Sequence, residues 1–241
     1  GERHRFETRL VVAGRVQDGV LTGDVALVGG GDPEFDTDAL MPLVRALAAR
    51  GVERVEGRFV VDPGPYGPHE AIDPGQPADA AYNPSVAGLN LNFNRVRLEW
   101  PRGARPEDVK VSARAARLDV PVTAVEVVAS GDGAVLAHDV AGNGRERWRV
   151  SPAALRRAGA RWLPVRRPLA YAGDTFRALA ATHGVALPEP EPGLAPRRGE
   201  VVAAHRSRLL PEILEAMLFH STNLTAEAVG LAASDMRLRA S

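Results

Sequence analysis

The sequence, 241 residues long, predicts a multidomain α+β fold. Three observations indicate this class. Runs in which apolar and polar residues alternate, as they do in half-buried strands, occupy the start of the chain. Segments 38–50, 169–185 and 209–231 carry apolar residues three or four positions apart, which is the spacing of one helix face. Between them, 99–166 holds short strand-like runs and Gly-rich turns, a pattern typical of a separate β-rich unit.

The first part of the chain predicts two strands, a helix and a third strand. The first two strands are rich in β-branched residues, and Asp18-Gly19 between them is a favoured hairpin turn. A glycine triplet, Gly29-Gly30-Gly31, then breaks the chain before the helix. The predicted elements are strand 6–12, strand 20–28, helix 38–50 and strand 55–62.

The next segments predict a long loop and a strand. Residues 63–81 are rich in Pro and Gly and show no periodicity, and irregular loops of this length are usually functional or disordered. Over 89–94, Leu or Phe alternates with Asn, which predicts a half-buried strand with an asparagine-lined second face. That face has two open interpretations, a recognition face or a solvated edge. Its members are Asn90, Asn92 and Asn94.

The remainder returns from strands to helices. Strand-like pieces continue through the middle of the chain, including one at 134–136. A helix follows from 169, and Asp174 is expected to cap its N-terminus. The Pro-rich composition of 188–199 predicts a linker or surface loop. Two further helices follow, separated by the tripeptide Ser221-Thr222-Asn223.

Composition excludes several classes of protein. Lys+Arg and Asp+Glu both number 30, so the formal net charge is +0, and a nucleic-acid binder that relies on phosphate contacts would carry a basic excess. No apolar run approaches the length that spans a bilayer, and no signal-peptide pattern is present in these residues. The absence of cysteine excludes disulfides, thiolate zinc sites and cysteine nucleophiles.

Lys110 is the only lysine, and its position excludes a phosphate-binding loop. That loop requires Gly-x-x-x-x-Gly-Lys, and no glycines precede Lys110 in the required positions. The glycine triplet is not a dinucleotide fingerprint, because Glu34 stands where that motif needs glycine or alanine. The six histidines include no pair at metal-ligand spacing. We therefore expect no metal and no cofactor.

Three stretches, in this order, resemble one known family. The first stretch covers 23–33, which contains Gly-Gly-Gly-Asp-Pro, and continues through 51–57. The second is Tyr82-Asn83-Pro84, just before the asparagine-rich segment. The third is 207–230, which contains Ser-Thr-Asn. Together they resemble the low-molecular-mass class C penicillin-binding proteins, the penicillin-binding protein 4 type of D-alanyl-D-alanine carboxypeptidase and endopeptidase.

The resemblance implies a fold and a division into domains. Family members have a transpeptidase-like, serine β-lactamase-like domain with the motifs Ser-x-x-Lys, Ser-x-Asn and Lys-Thr-Gly. Inserted α/β and β-rich domains separate the first motif from the second. The chain is similar to that insertion plus the second motif, with the nucleophile expected before Gly1 and Lys-Thr-Gly after Ser241. The implied units are an inserted α/β domain over 1–98 and 167–199, a nested β-rich domain over 99–166 and a transpeptidase-like fragment over 200–241.

The resemblance also implies function. It indicates a serine-type D-alanyl-D-alanine carboxypeptidase and endopeptidase of the periplasm or cell envelope, which cleaves peptidoglycan stem peptides through an acyl-enzyme and is inhibited by β-lactams. Ser221 would relay a proton to the leaving nitrogen, and Asn223 would hydrogen-bond the catalytic lysine and the substrate amide. Without the resemblance to the family, a Ser-x-Asn tripeptide between two helices is more often only a helix cap. His220 is not expected to pair with Ser221.

Tyr82 corresponds to a family aromatic that contacts substrate, although a core position is an open alternative. Relatives selective for diaminopimelate-type peptides carry an acidic residue about five positions earlier, where this chain has Pro77, with Asp79 nearby.

Two other functions remain open: a non-catalytic relative that binds peptidoglycan or an envelope protein, and an unrelated α/β binding protein.

Overall fold

A computed structural model describes residues 2–130 and 136–240, with side chains through Asp235. The predicted turn at 131–133 and the first two residues of the predicted strand 134–136 lie outside the described residues. In chain order the elements are β1 (Glu7–Gln17), β2 (Val20–Val28), α1 (Thr37–Ala49), β3 (Arg54–Val55), β4 (Phe59–Asp62), β5 (Arg95–Trp100), β6 (Lys110–Arg114), β7 (Asp119–Pro121), β8 (Val125–Ala129), β9 (Leu136–Val140), β10 (Glu146–Val150), β11 (Gly159–Pro164), α2 (Pro168–Ala181), β12 (Pro190–Pro192), β13 (Glu200–Arg206), α3 (Leu210–His220) and α4 (Asn223–Ala240).

A six-stranded mixed sheet forms the first layer. Its main order is β12-β4-β2-β1-β13, with β3 paired to β2, and helices α1 and α2 pack against it. The predicted hairpin is confirmed: β1 and β2 pair antiparallel around Asp18 and Gly19, whose φ angles of 49° and 79° suit the turn. Residues 190–192, predicted as linker or surface loop, instead pair with β4.

The glycine triplet is structural. A β-carbon on Gly29 would lie 2.5 Å from the carbonyl oxygen of Gly88, and one on Gly30 would lie 2.1 Å from that of Glu7. Neither position therefore has room for a side chain. This close backbone packing fixes the start of the chain and the segment before residue 89 against the end of β2.

Two smaller sheets, β11-β5-β6-β7 and β8-β10-β9, hold the predicted β-rich segment. The mixed α+β class is confirmed. The four-stranded sheet begins at Arg95, and its buried residues join those of the six-stranded sheet in one continuous hydrophobic cluster. Strand β13, predicted to lie in the C-terminal fragment, pairs with β1. The division into three domains stays a prediction.

The predicted strand over 89–94 is wrong. Asn92, Phe93 and Asn94 have φ angles of 52°, 56° and 48°, which makes them a left-handed turn just before β5. The asparagines tolerate this conformation better than most residues because their short polar side chains bond locally. All three asparagines, Asn90 included, are buried, so they form neither a recognition face nor a solvated edge.

The buried asparagines form a hydrogen-bond network. Asn94 Nδ2 donates to the Ser85 carbonyl and to Asn90 Oδ1, both at 2.8 Å, while its Oδ1 accepts from Leu91 N at 3.0 Å. Asn92 Nδ2 donates to Tyr171 OH at 3.0 Å. The network holds the turn so that Phe93 reaches the surface.

Helices α3 and α4 pack on the first layer through a few residues. Ile213 of α3 and Ala232 of α4 cluster with Phe6, and Leu224 and Ala228 of α4 cluster with Val86. The far end of α3 is open, with Leu218 and Phe219 exposed by 76% and 83%. Among the described residues, no helix is long and apolar enough to cross a bilayer.

Candidate active site

The connection between α3 and α4 carries the Ser-x-Asn tripeptide. Helix α3 ends at Ser221, whose φ of 52° and ψ of 48° are left-handed, and its N–H donates to the Met217 carbonyl. Helix α4 starts at Asn223, whose Nδ2 donates to the Tyr82 carbonyl at 3.2 Å. The asparagine thus joins the helix pair to the long loop, although 140 residues separate them in sequence.

Ser221 and His220 are both exposed at this connection. The His220 ring packs edge-on against Phe219, with 4.8 Å between ring centres. In the described part of the chain, no hydrogen bond joins His220 to Ser221. This arrangement agrees with the expectation that the two residues are not a nucleophile–base pair.

Tyr82 lies in the long loop, at the surface. Residues 63–91, all of them described, contain no regular strand or helix, as predicted for 63–81. The Tyr82 side chain is 56% exposed, and its hydroxyl donates to Gln76 Oε1 at 2.9 Å. The alternative of a core aromatic is therefore wrong. Asp79, the nearby acid, forms an ion pair with Arg161.

An open cleft of about 150 Å³ brings the three predicted residues together. Its lining includes Ser221, Asn223 and Tyr82, together with Pro84, Phe93 and Arg95. Sequence reasoning missed Phe93 and Arg95, because an alternating pattern assigned Phe93 to the buried face of a strand. A signal was present in Asn-Phe-Asn, since two asparagines flanking one residue are compatible with a left-handed turn.

The side chain of Arg166 hydrogen-bonds to the backbone of the loop that carries Tyr82. Its guanidinium donates to the backbone carbonyls of Asn83 at 2.7 Å, Ala78 at 2.9 Å and Glu70 at 3.3 Å. Its backbone N–H donates to the buried carboxylate of Glu146 at 2.9 Å. Burial lowers the pKa of Arg166, and the Glu146 carboxylate partly opposes this shift. The β-rich segment therefore braces the loop that carries Tyr82.

We expect Arg166→Met to loosen this loop while preserving the aliphatic packing. Loss of three charge-assisted bonds to the backbone of the loop should raise amide hydrogen exchange in 70–83 by about tenfold. Arg161→Met removes a more exposed ion pair to the same loop and should change exchange less. Hydrogen exchange measured by mass spectrometry checks this, and equal protection in Arg166→Met and the unchanged protein would contradict the brace.

The cleft combines a hydroxyl, an amide, a phenol and a cation. A serine held in the left-handed region at a helix end projects its hydroxyl from a fixed backbone, and an amide on the first helical residue is similarly restrained. Such groups orient a substrate and transfer protons, but they do not supply an activated nucleophile. Within the described residues, no cluster of His, Asp and Glu is suited to hold a metal ion.

Comparisons with known proteins give the family. The sequence model of the D-Ala-D-Ala carboxypeptidase 3 (S13) family matches residues 1–240. D-alanyl-D-alanine carboxypeptidase DacB of Haemophilus influenzae is 24% identical over 242 residues, covering 95% of this chain and 49% of that protein.

Solved structures agree on the fold. The crystal structure of penicillin binding protein 4 (dacB) from Haemophilus influenzae superposes with a TM-score of 0.71 at 23% identity, over 96% of this chain and 52% of the other. The same protein complexed with a β-lactam gives a TM-score of 0.65 at 22% identity, over 95% and 50%. The chain spans about half the length of these relatives. Because the family model matches nearly all of its residues, the chain belongs to the D-Ala-D-Ala carboxypeptidase 3 (S13) family.

Proposed function

We propose that this chain is part of a serine-type DD-peptidase that cleaves the D-alanyl-D-alanine end of peptidoglycan stem peptides through an acyl-enzyme. The observation that carries the proposal is the cleft in which the Ser-x-Asn tripeptide lies against Tyr82. The two segments are far apart in sequence, and only the fold brings them together. Family membership supplies the reaction class.

In the proposed reaction, this chain supplies some of the catalytic groups, and the other motifs of the family supply the rest. Residues 1–241 contain neither Ser-x-x-Lys nor Lys-Thr-Gly, because their only lysine is Lys110. The nucleophile and its base would come from outside these residues. Ser221 would pass a proton to the departing D-alanine nitrogen, and Asn223 would hydrogen-bond the substrate amide and the catalytic lysine.

Tyr82, which lines the same cleft, is proposed to contact the substrate. Its exposed ring and its hydroxyl, which is held by Gln76, offer an apolar face with a polar edge. Pro77 stands where some relatives carry an acid, and Asp79 is already neutralised by Arg161. We therefore do not assign Asp79 to recognition of a distal amine.

Inhibition by β-lactams and a place in the periplasm or cell envelope belong to the same proposal. A relative of similar fold has been solved with a bound β-lactam, which supports the first point. The carboxypeptidase name of the Haemophilus influenzae relative supports the second, because peptidoglycan lies in the envelope.

Labelling with a fluorescent penicillin tests the division of the motifs. The 241-residue chain is expected to remain unlabelled after denaturing electrophoresis, because it contains no serine–lysine pair of the required spacing. A longer protein that adds Ser-x-x-Lys and Lys-Thr-Gly should give a covalent band. A boil-resistant band on residues 1–241 alone would reveal another nucleophile. No label on the longer protein would favour a non-catalytic relative that binds peptidoglycan or an envelope partner.

A further inference from the structure

A cavity of about 320 Å³ lies between the two small sheets and shares no lining residue with the candidate cleft. Strands β5 and β11 of the four-stranded sheet contribute to its wall, and so do β9 and β10 of the three-stranded sheet. Sites that bind small molecules typically have volumes of about 300–1,000 Å³. The cavity is therefore large enough for a small ligand.

The wall of this cavity is apolar except for one charged side chain. Leu98, Leu155 and Leu163 are each at most 2% exposed, so this part of the wall belongs to the protein interior. Trp100 also lines the cavity, and its indole N–H donates to the Arg157 carbonyl at 2.9 Å, which fixes the ring. Apolar surface of this kind favours an aliphatic chain, because a sugar or a peptide would lose its hydrogen bonds to water there.

Small side chains at two positions create the space. Ala154 lies in the short helical turn Ala154–Arg156, Ala160 lies in β11, and both line the cavity. A larger side chain at either position would occupy part of the volume. Protein interiors contain few voids larger than a water molecule. A cavity of this size, walled by leucines that are almost fully buried, is therefore a specific feature of the fold.

Arg161 is the charged side chain of the wall. Its Nη2 donates to the carboxylate of Asp79, and its side chain is 45% exposed. Within the described residues this is the only side-chain hydrogen bond that the guanidinium makes, although a guanidinium has five N–H donors. A ligand carboxylate can therefore bind Arg161 beside Asp79 while an attached chain enters the cavity.

We propose that the cavity binds a free fatty acid, with the aliphatic chain between the two small sheets and the carboxylate on Arg161. If a methylene group takes about the volume of a water molecule, roughly 30 Å³, the cavity holds a chain of about ten carbons. The two long chains of a membrane lipid exceed this volume. The site is separate from the proposed function, because none of Ser221, Asn223 and Tyr82 lines it.

Calorimetric titration of the longer protein with decanoate tests the cavity. One decanoate should bind with a Kd of about 10–100 µM, because burial of about ten methylene groups outweighs the cost of ordering the chain. Ala154→Leu should fill part of the cavity, weaken binding by at least about tenfold and leave Tm unchanged or higher. Ala153→Leu is the matched control, since Ala153 is exposed and does not line the cavity, and it should bind decanoate normally.

Decanol, which has the same chain and no charge, tests the role of Arg161. The unchanged protein should bind decanoate about two- to fivefold more tightly than decanol, because ion pairs of partly exposed groups are of this strength. Arg161→Met should remove this difference and still bind both chains. Equal affinities of the unchanged protein for the two ligands would overturn the assignment of the carboxylate to Arg161.

Two results would overturn the cavity as a binding site: no decanoate binding by the folded, unchanged protein, or normal binding by Ala154→Leu. Sedimentation with phosphatidylglycerol vesicles that is lost in Ala154→Leu would show that the ligand is a membrane lipid, and would overturn the free fatty acid. Penicillin acylation of the same preparation measures the proposed function separately, so either proposal can fail without the other.

Discussion

Replacing Ser221 by alanine, in the protein that carries all three family motifs, is expected to slow penicillin acylation by about 10²–10³-fold. The serine hydroxyl would relay a proton, and alanine offers none. Asn223→Ala should slow acylation by a similar factor, because it removes both the amide that we propose binds the substrate and its hydrogen bond to the Tyr82 carbonyl. Stopped-flow or gel-based acylation kinetics, with Tm as the measure of folding, check both changes.

Ser221→Gly sharpens this test. Ser221 sits in the left-handed region at the end of α3, where glycine has no steric penalty and most other residues lose about 1 kcal/mol. The glycine variant should therefore be slightly more stable than the unchanged protein and yet as slow as Ser221→Ala.

His220→Ala is the matched control for the same loop. His220 is exposed, contacts Phe219 and has no hydrogen bond to Ser221 within the described residues. Its replacement should change acylation much less than Ser221→Ala. If His220→Ala proved as damaging, or if folded Ser221 and Asn223 variants acylated normally, the assignment of this loop would be wrong.

Asn94→Leu is expected to destabilise the fold by about 3–5 kcal/mol, because two separate penalties combine. Leucine has the same branched heavy-atom skeleton as asparagine, although it is larger, and it leaves the buried Ser85 carbonyl and Leu91 N–H without their partner. It also disfavours the φ of 48° at this position. For a domain of this size, the loss corresponds to a fall in Tm of roughly 10 °C or more.

Thermal unfolding followed by circular dichroism measures this effect, and Asn143→Leu provides its control. Asn143 also accepts a backbone N–H, from Arg145 at 3.0 Å, but it lies in an exposed turn where water replaces the lost bond. We expect less than about 1 kcal/mol of destabilisation there. Equal changes in Tm for the two variants would refute a structural role for the buried asparagine network.

Local patterns in the sequence determined the elements that depend on local physics. The alternation in the first two strands, with Asp18-Gly19 between them, was sufficient for the hairpin, because a turn of this kind fixes its own register. Helical spacing gave α1 to α3 and the start of α4 within a few residues, but α4 continues past the predicted 231 to Ala240. The long Pro- and Gly-rich loop and the order of the three family stretches also followed from sequence. Ser221, Asn223 and Tyr82 were singled out by the family resemblance, and their roles stay predictions.

Asp174 shows where local reasoning failed. As an N-cap it would precede its helix, but it lies inside α2 and is buried. Its carboxylate accepts from Ala124 N and the Thr123 hydroxyl, both at 2.9 Å. An aspartate can cap the N-terminus of a helix, and it can also lie inside a helix and accept hydrogen bonds from a loop. Only the position of a loop that is distant in sequence distinguishes the two roles.

The tertiary structure decided the asparagine-rich turn and the cleft. Alternating Leu and Asn is equally compatible with a strand and with a left-handed turn whose amides are buried, because periodicity records only which residues are apolar. The partners Ser85 and Tyr171 make the turn the stable choice. The position of Arg95 between the Phe93 and Trp162 rings was also outside the reach of sequence, since such contacts depend on distances between residues from separate strands.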